Sequence, residues 1–293
     1  VAQFEDATGG IDAIQEAALK QMTVSGYDAW QMLSYLARVN YNYDNRYLLT
    51  LTGRIDGSSK FGKDNKYGTF PSAAFAWRAS EESFLKNNKH ISNLKLRTSY
   101  GLVGNQGIAS YSALGLLYAT EAYFGNSEIA KGKVPYTRDN QGLKWETTAQ
   151  FDFGFDLGLF GNRISLGFDF YNKKTKDLLI WNTTPSLEIG GNTSPINAGN
   201  VSNKGFEFEL GWRDHIKDFS YGIRANLATI SNKVTYIDPS ITRLAGSTFH
   251  TYTVTYFEQN YPVYYFRGYK FAGIDPKTGN PTFEDLDKSG NIS

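Results

Sequence analysis

Between Trp145 and Leu157 the chain reads WETTAQFDFGFDL, and from Ile164 to Phe170 it reads ISLGFDF. In the first run the odd positions are apolar or small, and nearly all the even ones are polar, charged or glycine. The second run resumes this alternation after the turn sequence Gly161-Asn162. Because a β-strand sends successive side chains to opposite faces, the two runs predict a hairpin with one apolar face and one polar, hydrated face.

The polar face of the predicted hairpin favours a membrane barrel over a soluble sheet. Carboxylates and amides recur on strands that are long and aromatic, which is typical of a lipid-facing wall around an aqueous lumen. No run approaches the ~18 apolar residues that a membrane-spanning helix needs. Any spanning structure must therefore be a closed barrel, whose backbone groups pair between strands. The composition agrees with a barrel: aromatic residues make up 15% of the chain, but the hydrophobic fraction is only 41%. In alternating strands the polar residues offset the apolar ones, so the average hydrophobicity stays ordinary.

The same alternation continues along the chain and predicts about eight strands. They cover roughly residues 31–43, 47–56, 69–78, 94–102, 144–157, 164–173, 206–212 and 219–227. The connections that are short or modest lie near Asn45, Ser80, Asn162 and Asp214. The longer ones follow Ile55, Leu102, Asp177 and Thr229. Outer-membrane barrels have short periplasmic turns and long extracellular loops, so the predicted fold is an all-β, antiparallel up-and-down transmembrane barrel.

The chain divides into three regions. Residues 1–30 are predicted to form an extracellular loop with a short helix, and residues 31–231 form the barrel strands with their long loops. Residues 232–293 are predicted to be an extracellular loop region. The first residues lack the basic segment and apolar core of a signal peptide, and the last ones stop inside a turn-like sequence. We therefore expect a segment of a longer protein.

Two local features lie beside the short connections. Tyr41, Tyr43 and Tyr47 surround the first turn, and their amphipathic rings predict an aromatic girdle at a membrane interface. Ser80, followed by Glu81 and Glu82, predicts an N-cap with acidic residues in the first turn of a brief helix that runs through Phe84 and Leu85.

Composition and motifs argue against several function classes. A net charge of +1 gives no argument for nucleic acid, and zero cysteines exclude thiolate chemistry. His90, His215 and His250 lie in separate connections, and no hydrolase or phosphate-binding motif surrounds them. Glu207 and Glu209 could imitate a glycosidase pair, but at i and i+2 on one strand they more simply face a lumen. The sequence therefore predicts a protein that is not an enzyme.

Several motifs occur in one order along the chain. They read ARVNYNY from Ala37, RIDGSSKFG from Arg54, FPS from Phe70, LKLRTSYG from Leu94, LKWETT from Leu143 and NKGFE from Asn203. Together they resemble the SusC/RagA-type TonB-dependent transporters of the Bacteroidetes outer membrane. The resemblance begins at about Gln31 and extends over nearly all the rest of the chain.

The resemblance implies a location, a mechanism and partners. Members of the family have an amino-terminal plug, a box that engages TonB, and a barrel of about 22 strands, of which this chain resembles only the barrel. The implied function is active import of oligosaccharides or peptides through the outer membrane, with a SusD-like surface lipoprotein capturing the ligand. The residues alone leave two alternatives: a passive porin or structural barrel in outer-membrane lipid, and a soluble β-rich surface adhesin.

Aromatic side chains in the long loops are the candidates for substrate binding, because rings stack on sugar faces and pack against peptide side chains. The candidate residues are Tyr111, Tyr118, Tyr123, Phe124, Tyr136 and Trp181. Tyr252, Tyr256, Tyr261, Tyr264 and Tyr265 pose the same question. The alternative is that these rings pack within a folded loop or against a partner protein.

A candidate Ca²⁺ loop lies near the end of the chain. Residues 285–292 match the first eight positions of an EF-hand-like loop, with a glycine at the sixth. The candidate ligands are Asp285, Asp287, Ser289 and Asn291. The alternative is a turn rich in Asp, Gly and Asn that binds no metal.

Overall fold

The computed structural model describes residues 27–123, 129–181 and 195–284, and its regular structure is nearly all antiparallel β-sheet. In chain order the strands are β1 (Met32–Tyr43), β2 (Tyr47–Ser58), β3 (Tyr67–Arg78), β4 (Ile91–Asn105), β5 (Leu117–Tyr123), β6 (Ile129–Pro135), β7 (Glu146–Leu159), β8 (Ile164–Lys176), β9 (Leu179–Trp181), β10 (Pro195–Asn197), β11 (Gly199–Ile216), β12 (Phe219–Ala228), β13 (Ser231–Ile237), β14 (Arg243–Ala245), β15 (Thr248–Phe249), β16 (Tyr252–Thr253), β17 (Thr255–Glu258), β18 (Tyr265–Phe266), β19 (Phe271–Ile274) and β20 (Pro281–Phe283). A single turn of 3₁₀ helix, Ala79–Glu81, follows β3. Among the described residues, no helix has the length and apolar content to cross a membrane.

One large sheet organises the molecule. Its order is β1-β2-β3-β4-β7-β8-β11-β12, and β13 also pairs with β11. These eight strands are the ones that the alternation predicts. Within the described residues the sheet is open, with β1 and β12 at its edges. The chain therefore forms a partial segment of a barrel wall.

The last strand of this sheet is longer than predicted. β12 and β13 pair with the same edge of β11 in one register, from Ile216↔Phe219 through Lys204↔Ser231. Only Thr229 and Ile230 interrupt them, and there the Thr229 amide still donates to the Phe206 carbonyl at 2.9 Å. β12 and β13 thus act as one strand, which continues past residue 231 to Ile237.

The predicted turn at residues 213–218 is wrong in its length. Arg213 pairs with Gly222, and the ladder continues to Ile216 and Phe219, so only residues 217 and 218 turn the chain. The polar residues of this segment predicted a longer turn. Cross-strand hydrogen bonds instead keep residues 213–216 in the strand.

The two faces of the sheet differ as predicted. Phe151 and Phe153 on β7 are 41% and 42% exposed, whereas Asp152 and Asp156 lie on the opposite face. We name the two sides the apolar face and the polar face. Exposed residues of the apolar face include Tyr35, Val39, Leu51, Phe75, Tyr100, Phe170, Phe206, Phe208, Leu210, Trp212, Ile223 and Leu227. An exposed apolar surface of this extent is what a lipid-facing wall presents.

The connections differ between the two ends of the sheet. The short-turn end carries residues 44–46, 79–90, 160–163 and 217–218. The long-loop end carries residues 59–66, 106–145 and 177–198. The predicted alternation of short and long connections therefore holds with one exception, since residues 59–66 form a shorter connection than residues 79–90. On the apolar face the short-turn end is aromatic, with Tyr43 and Tyr47 at 6.4 Å and Trp212 and Tyr221 at 5.7 Å between ring centroids.

The predicted helix that starts at Ser80 is also wrong. The turn is 3₁₀, its N-cap position is Arg78, and no side chain caps it. It ends at Glu81 because Glu82 adopts an extended conformation and turns its carboxylate inward. There Glu82 accepts hydrogen bonds from the Tyr47 hydroxyl at 2.6 Å and from the Trp77 indole at 3.1 Å. Tertiary contacts of an acidic side chain thus decide this connection.

Apart from Ala79, the buried apolar residues among those described lie at the long-loop end, in two clusters. The first consists of Phe61, Phe70, Ile108, Ala113, Leu143 and Trp145. The second consists of Ala198, Val201, Val234, Ile237, Ile241, Leu244 and Phe257. Each cluster joins a strand of the sheet to the connections above it, so the long loops are packed structures attached to the wall.

Candidate functional site

Ion pairs on the polar face join neighbouring strands. Arg97 on β4 lies opposite Gly154 on β7, which in turn lies opposite Asp169 on β8. The Arg97 guanidinium donates to the two Asp169 carboxylate oxygens at 2.5 and 2.7 Å, and to Asp156 at 3.2 Å. Charge-assisted, two-bond pairs of this kind are directional and strong. One cation therefore ties three strands together.

A second group on the same face surrounds Asp152. The Ser99 hydroxyl donates to this carboxylate at 3.0 Å, and the Gln150 amide donates to it at 2.8 Å. The charges of Arg97, Asp152, Asp156 and Asp169 on this part of the wall are thus paired or hydrogen-bonded.

A polar groove of ≈ 790 Å³ lies on the polar face towards the short-turn end. Its lining includes Asp156, Ser165, Glu209, Arg213, Arg224 and Asn226. Carboxylates, guanidinium groups and an amide on one concave surface offer both donors and acceptors. This part of the wall can therefore hydrogen-bond a hydrated solute or a polar protein surface.

A pocket of ≈ 510 Å³ at the long-loop end holds Tyr111. Trp30 and Lys60 also line it, and the Lys60 ammonium lies 4.9 Å from the centroid of the Trp30 ring. The same ammonium donates to the Ile108 carbonyl at 2.8 Å, which fixes its position. An aromatic ring beside an anchored cation suits a sugar ring or a carboxylate.

Tyr118 and Tyr136 lie together on the β5–β6 hairpin. Their ring centroids are 6.0 Å apart, and Tyr118 is 62% exposed. Tyr123 ends β5, but its side chain and the whole of Phe124 lie outside the described residues. The structure therefore brings two of the predicted aromatic residues into contact with each other.

Trp181 lies on a different hairpin. It ends β9, pairs with Pro195 on β10, and is 49% exposed. The predicted aromatic residues whose side chains the structure describes thus occupy three places: the pocket of Tyr111, the β5–β6 hairpin, and the β9–β10 hairpin. Their contact with substrate stays a prediction.

Three of the tyrosines in residues 252–265 pack on one another, whereas Tyr252 is 76% exposed. The rings of Tyr261 and Tyr265 stack at 4.4 Å, and the Tyr265 hydroxyl donates to Glu258 at 2.5 Å. Burial, followed by the Glu258 contact, raises the pKa of Tyr265. The Arg243 guanidinium lies 4.9 Å from the Tyr256 ring. These contacts are those of a folded loop, which is the alternative that the sequence left open for this segment.

Charged groups at the short-turn end form a separate cluster. Arg46 bonds to Asp44 in its own turn and donates to Glu82 at 2.9 Å. These two carboxylates raise the pKa of Arg46, with Asp44 the larger cause. Hydrogen bonds from Tyr47, Trp77 and Arg46 lower the pKa of Glu82. The cluster stabilises the turn and contacts none of the candidate aromatic residues in the loops.

The calcium prediction concerns residues that the structure does not describe. Asp285, Asp287, Ser289 and Asn291 all lie beyond residue 284. Within the three described ranges, no group of three His, Asp or Glu side chains is arranged to hold a metal ion. Calcium binding stays a prediction.

Comparison with known proteins identifies the family. Residues 6–289 match the family described as TonB dependent receptor-like, beta-barrel. The chain belongs to this family. TonB-dependent receptor P3 of Formosa agariphila is 34% identical over 96% of this chain and 30% of its own length. TonB-dependent receptor SusC of Bacteroides thetaiotaomicron is 36% identical over 79% of this chain and 24% of its own length.

Solved structures of this family agree with the fold. The RagAB peptide transporter matches with a TM-score of 0.74 and 30% identity, over 87% of this chain and 27% of the other. The RagAB peptide importer in its open-open state matches with a TM-score of 0.75. The chain is thus a SusC/RagA-type TonB-dependent transporter barrel segment. It spans less than a third of the length of each of these relatives. Proteins of this type are outer-membrane β-barrels and transporters, not enzymes.

Two residues of the candidate site in this TonB-dependent barrel segment are not predicted from the sequence to be functional. Trp30 lies in a region predicted to be only a leading loop, and Lys60 lies within the motif RIDGSSKFG. Lys60 could have been found as the one cation in GSSKFG, but its neighbour Trp30 comes from a distant part of the chain. The local pattern carries no signal for their contact.

Proposed function

We propose that this chain forms part of the barrel wall of an outer-membrane importer of oligosaccharides or peptides. The single observation that supports it most is the sheet with two unlike faces. Its apolar face is exposed over eight neighbouring strands, while Arg97, Asp156 and Asp169 pair with one another on the opposite face. A wall of this kind separates lipid from an aqueous lumen.

We further propose that transport is active. SusC and the RagAB transporter are similar to this chain over most of its length, and the chain belongs to the family of TonB-dependent receptor-like barrels. In the complete protein, energy delivered through TonB would open a plug held within the wall. A SusD-like surface lipoprotein would capture ligand above the long-loop end.

The loop aromatic residues are the proposed contacts for the imported molecule. Tyr118 and Tyr136 present neighbouring exposed rings, and Tyr111 lies beside the Lys60 ammonium in a pocket. Rings of this kind can stack on a pyranose face or cover an apolar peptide side chain. They lie at the long-loop end of the wall, so a solute that enters the lumen from that side would pass them.

The test is uptake by cells that carry the complete protein containing this chain. Labelled oligosaccharides and peptides are supplied to the wild type, to a strain lacking the protein, and to a strain lacking TonB. Active import predicts that at least one solute accumulates only when both the protein and TonB are present. Uptake that needs the protein but persists without TonB would instead support the passive porin. Normal uptake of every solute in the strain lacking the protein would contradict transport altogether.

A further inference from the structure

Four lysines lie side by side on the apolar face at the long-loop end. We name them the lysine patch, and they are Lys174, Lys176, Lys204 and Lys233. Ser202 on β11 pairs with Lys174 on β8 and with Lys233 on β13, and Lys204 lies two residues along β11 from Ser202. The patch thus covers three neighbouring strands.

The register places the patch directly beyond the apolar surface. Lys174 follows Phe170 by four residues on β8, and Lys204 precedes Phe206 by two on β11, without a bulge between them. Side chains at even separations on a strand share a face. At ~3.4 Å per residue, Lys204 is roughly 7 Å along the strand from the last phenylalanine. A lysine at that height can lie along apolar surface and still hold its ammonium in the headgroup layer.

Within the described residues, no carboxylate neutralises the positive charge of the patch. All four side chains are exposed, and none forms an ion pair with another residue in the described ranges. Asp177, the acidic residue that follows β8, is paired with Lys144 at 3.1 Å. At the short-turn end of the sheet, Arg163 is paired with Asp214. The unpaired positive charge of the patch therefore lies at the long-loop end.

The rest of a barrel would leave the patch uncovered. Additional strands attach at the open edges, β1 and β12, and extend the sheet sideways. The outward side of β8 and β11 stays outward when the barrel closes. What meets this surface is the lipid around the protein.

We propose that the lysine patch binds the phosphate groups of lipids in the leaflet that surrounds the long-loop end. The proposal rests on the placement of the wall in the outer membrane and goes beyond import. Ammonium groups next to a membrane attract anionic headgroups, and each contributes independently. Three lysines within one cross-strand neighbourhood can surround a single phosphate. Bound lipid would hold the wall at a fixed height in the membrane.

The test uses the complete protein, purified in detergent and examined by native mass spectrometry with phosphatidic acid as the probe. Diacylglycerol, which lacks only the phosphate, is the matched lipid. Lys174→Gln is compared with Lys173→Gln, because Lys173 is also exposed on the same strand but points to the polar face. A triple variant, Lys174→Gln with Lys204→Gln and Lys233→Gln, removes most of the patch, and Lys174→Arg keeps the charge.

The expected result is a loss of phosphatidic acid binding of about fivefold for Lys174→Gln and on the order of a hundredfold for the triple variant. Lys173→Gln and Lys174→Arg should bind as the wild type does, and diacylglycerol should not bind. An unchanged triple variant, or an equal loss in Lys173→Gln, would overturn the proposal. So would displacement of the lipid by equimolar inorganic phosphate, since the site would then be one for free phosphate. Uptake assays are independent of this readout, so the two proposals can fail separately.

Discussion

Arg97 and Asp169 form a two-bond ion pair although a whole strand, β7, lies between the strands that carry them. The pair crosses above Gly154, where any larger residue would block it. The relationship joins β4, β7 and β8 on the lumen side of the wall. It also explains why a glycine stands in a run that is otherwise rich in large residues.

Replacing Gly154 by alanine should destabilise the barrel. A Cβ at this position would lie 2.6 Å from the Phe168 carbonyl oxygen and would overlap the Asp169 carboxylate, so backbone and ion pair must both shift. We expect a loss of about 1–3 kcal/mol in the free energy of unfolding, measured by urea titration of the complete protein in detergent. Gly53→Ala is the control, because a Cβ there meets no atom within 4 Å. Equal losses in both variants would contradict the explanation.

The ion pair itself can be measured by a double-mutant cycle. Arg97→Gln and Asp169→Asn should each cost about 1 kcal/mol, a modest figure because both side chains are about one-third exposed. The double variant should cost clearly less than the sum. Strict additivity of the two free energies would show that the pair contributes nothing to stability.

Glu82 should make stability depend on acid pH. Hydrogen bonds from Tyr47, Trp77 and Arg46 lower its pKa in the folded protein. The stabilisation is therefore present above the unfolded-state pKa, about 4.3 for Glu, and is lost as the pH falls through the lower folded-state value. The melting temperature of the wild type should approach that of Glu82→Gln as the pH falls below about 4. A difference between the two that is constant from neutral to acid pH would disprove this.

A charge on the apolar face should oppose membrane insertion. Phe153→Arg places a guanidinium where the wall meets lipid, and we expect a cost of about 2–4 kcal/mol near the bilayer midplane. Gln150→Arg is the control on the same strand, since its side chain points to the polar face. The amount of folded protein in the outer membrane measures both. Comparable yields of the two variants would mean that the faces are assigned incorrectly.

The exposed rings of the β5–β6 hairpin should contribute to substrate affinity. Tyr118→Ala removes one of the two neighbouring rings and should weaken binding of an imported solute by about 0.5–1.5 kcal/mol, the range of a ring contact. Tyr252→Ala serves as the matched change, because Tyr252 is also exposed but lies on a different hairpin, β15–β16. Titration calorimetry with a solute found by the uptake assay gives both affinities. A loss of affinity in Tyr252→Ala but not in Tyr118→Ala would show that the solute does not bind to the β5–β6 hairpin.

The eight strands and the two faces follow from the amino-acid sequence alone, because alternation along a strand is a local property. Phe151 and Asp152 are assigned to opposite faces because they are adjacent on one strand. The motifs likewise predicted the family. Three contacts could not be predicted in this way: Arg97 with Asp169, Lys60 with Trp30, and the inward hydrogen bonds of Glu82 that end the turn expected to become a helix. These contacts join residues that are far apart in the chain. They depend on the strand register and on which distant donors reach each acceptor, and a local sequence pattern contains neither.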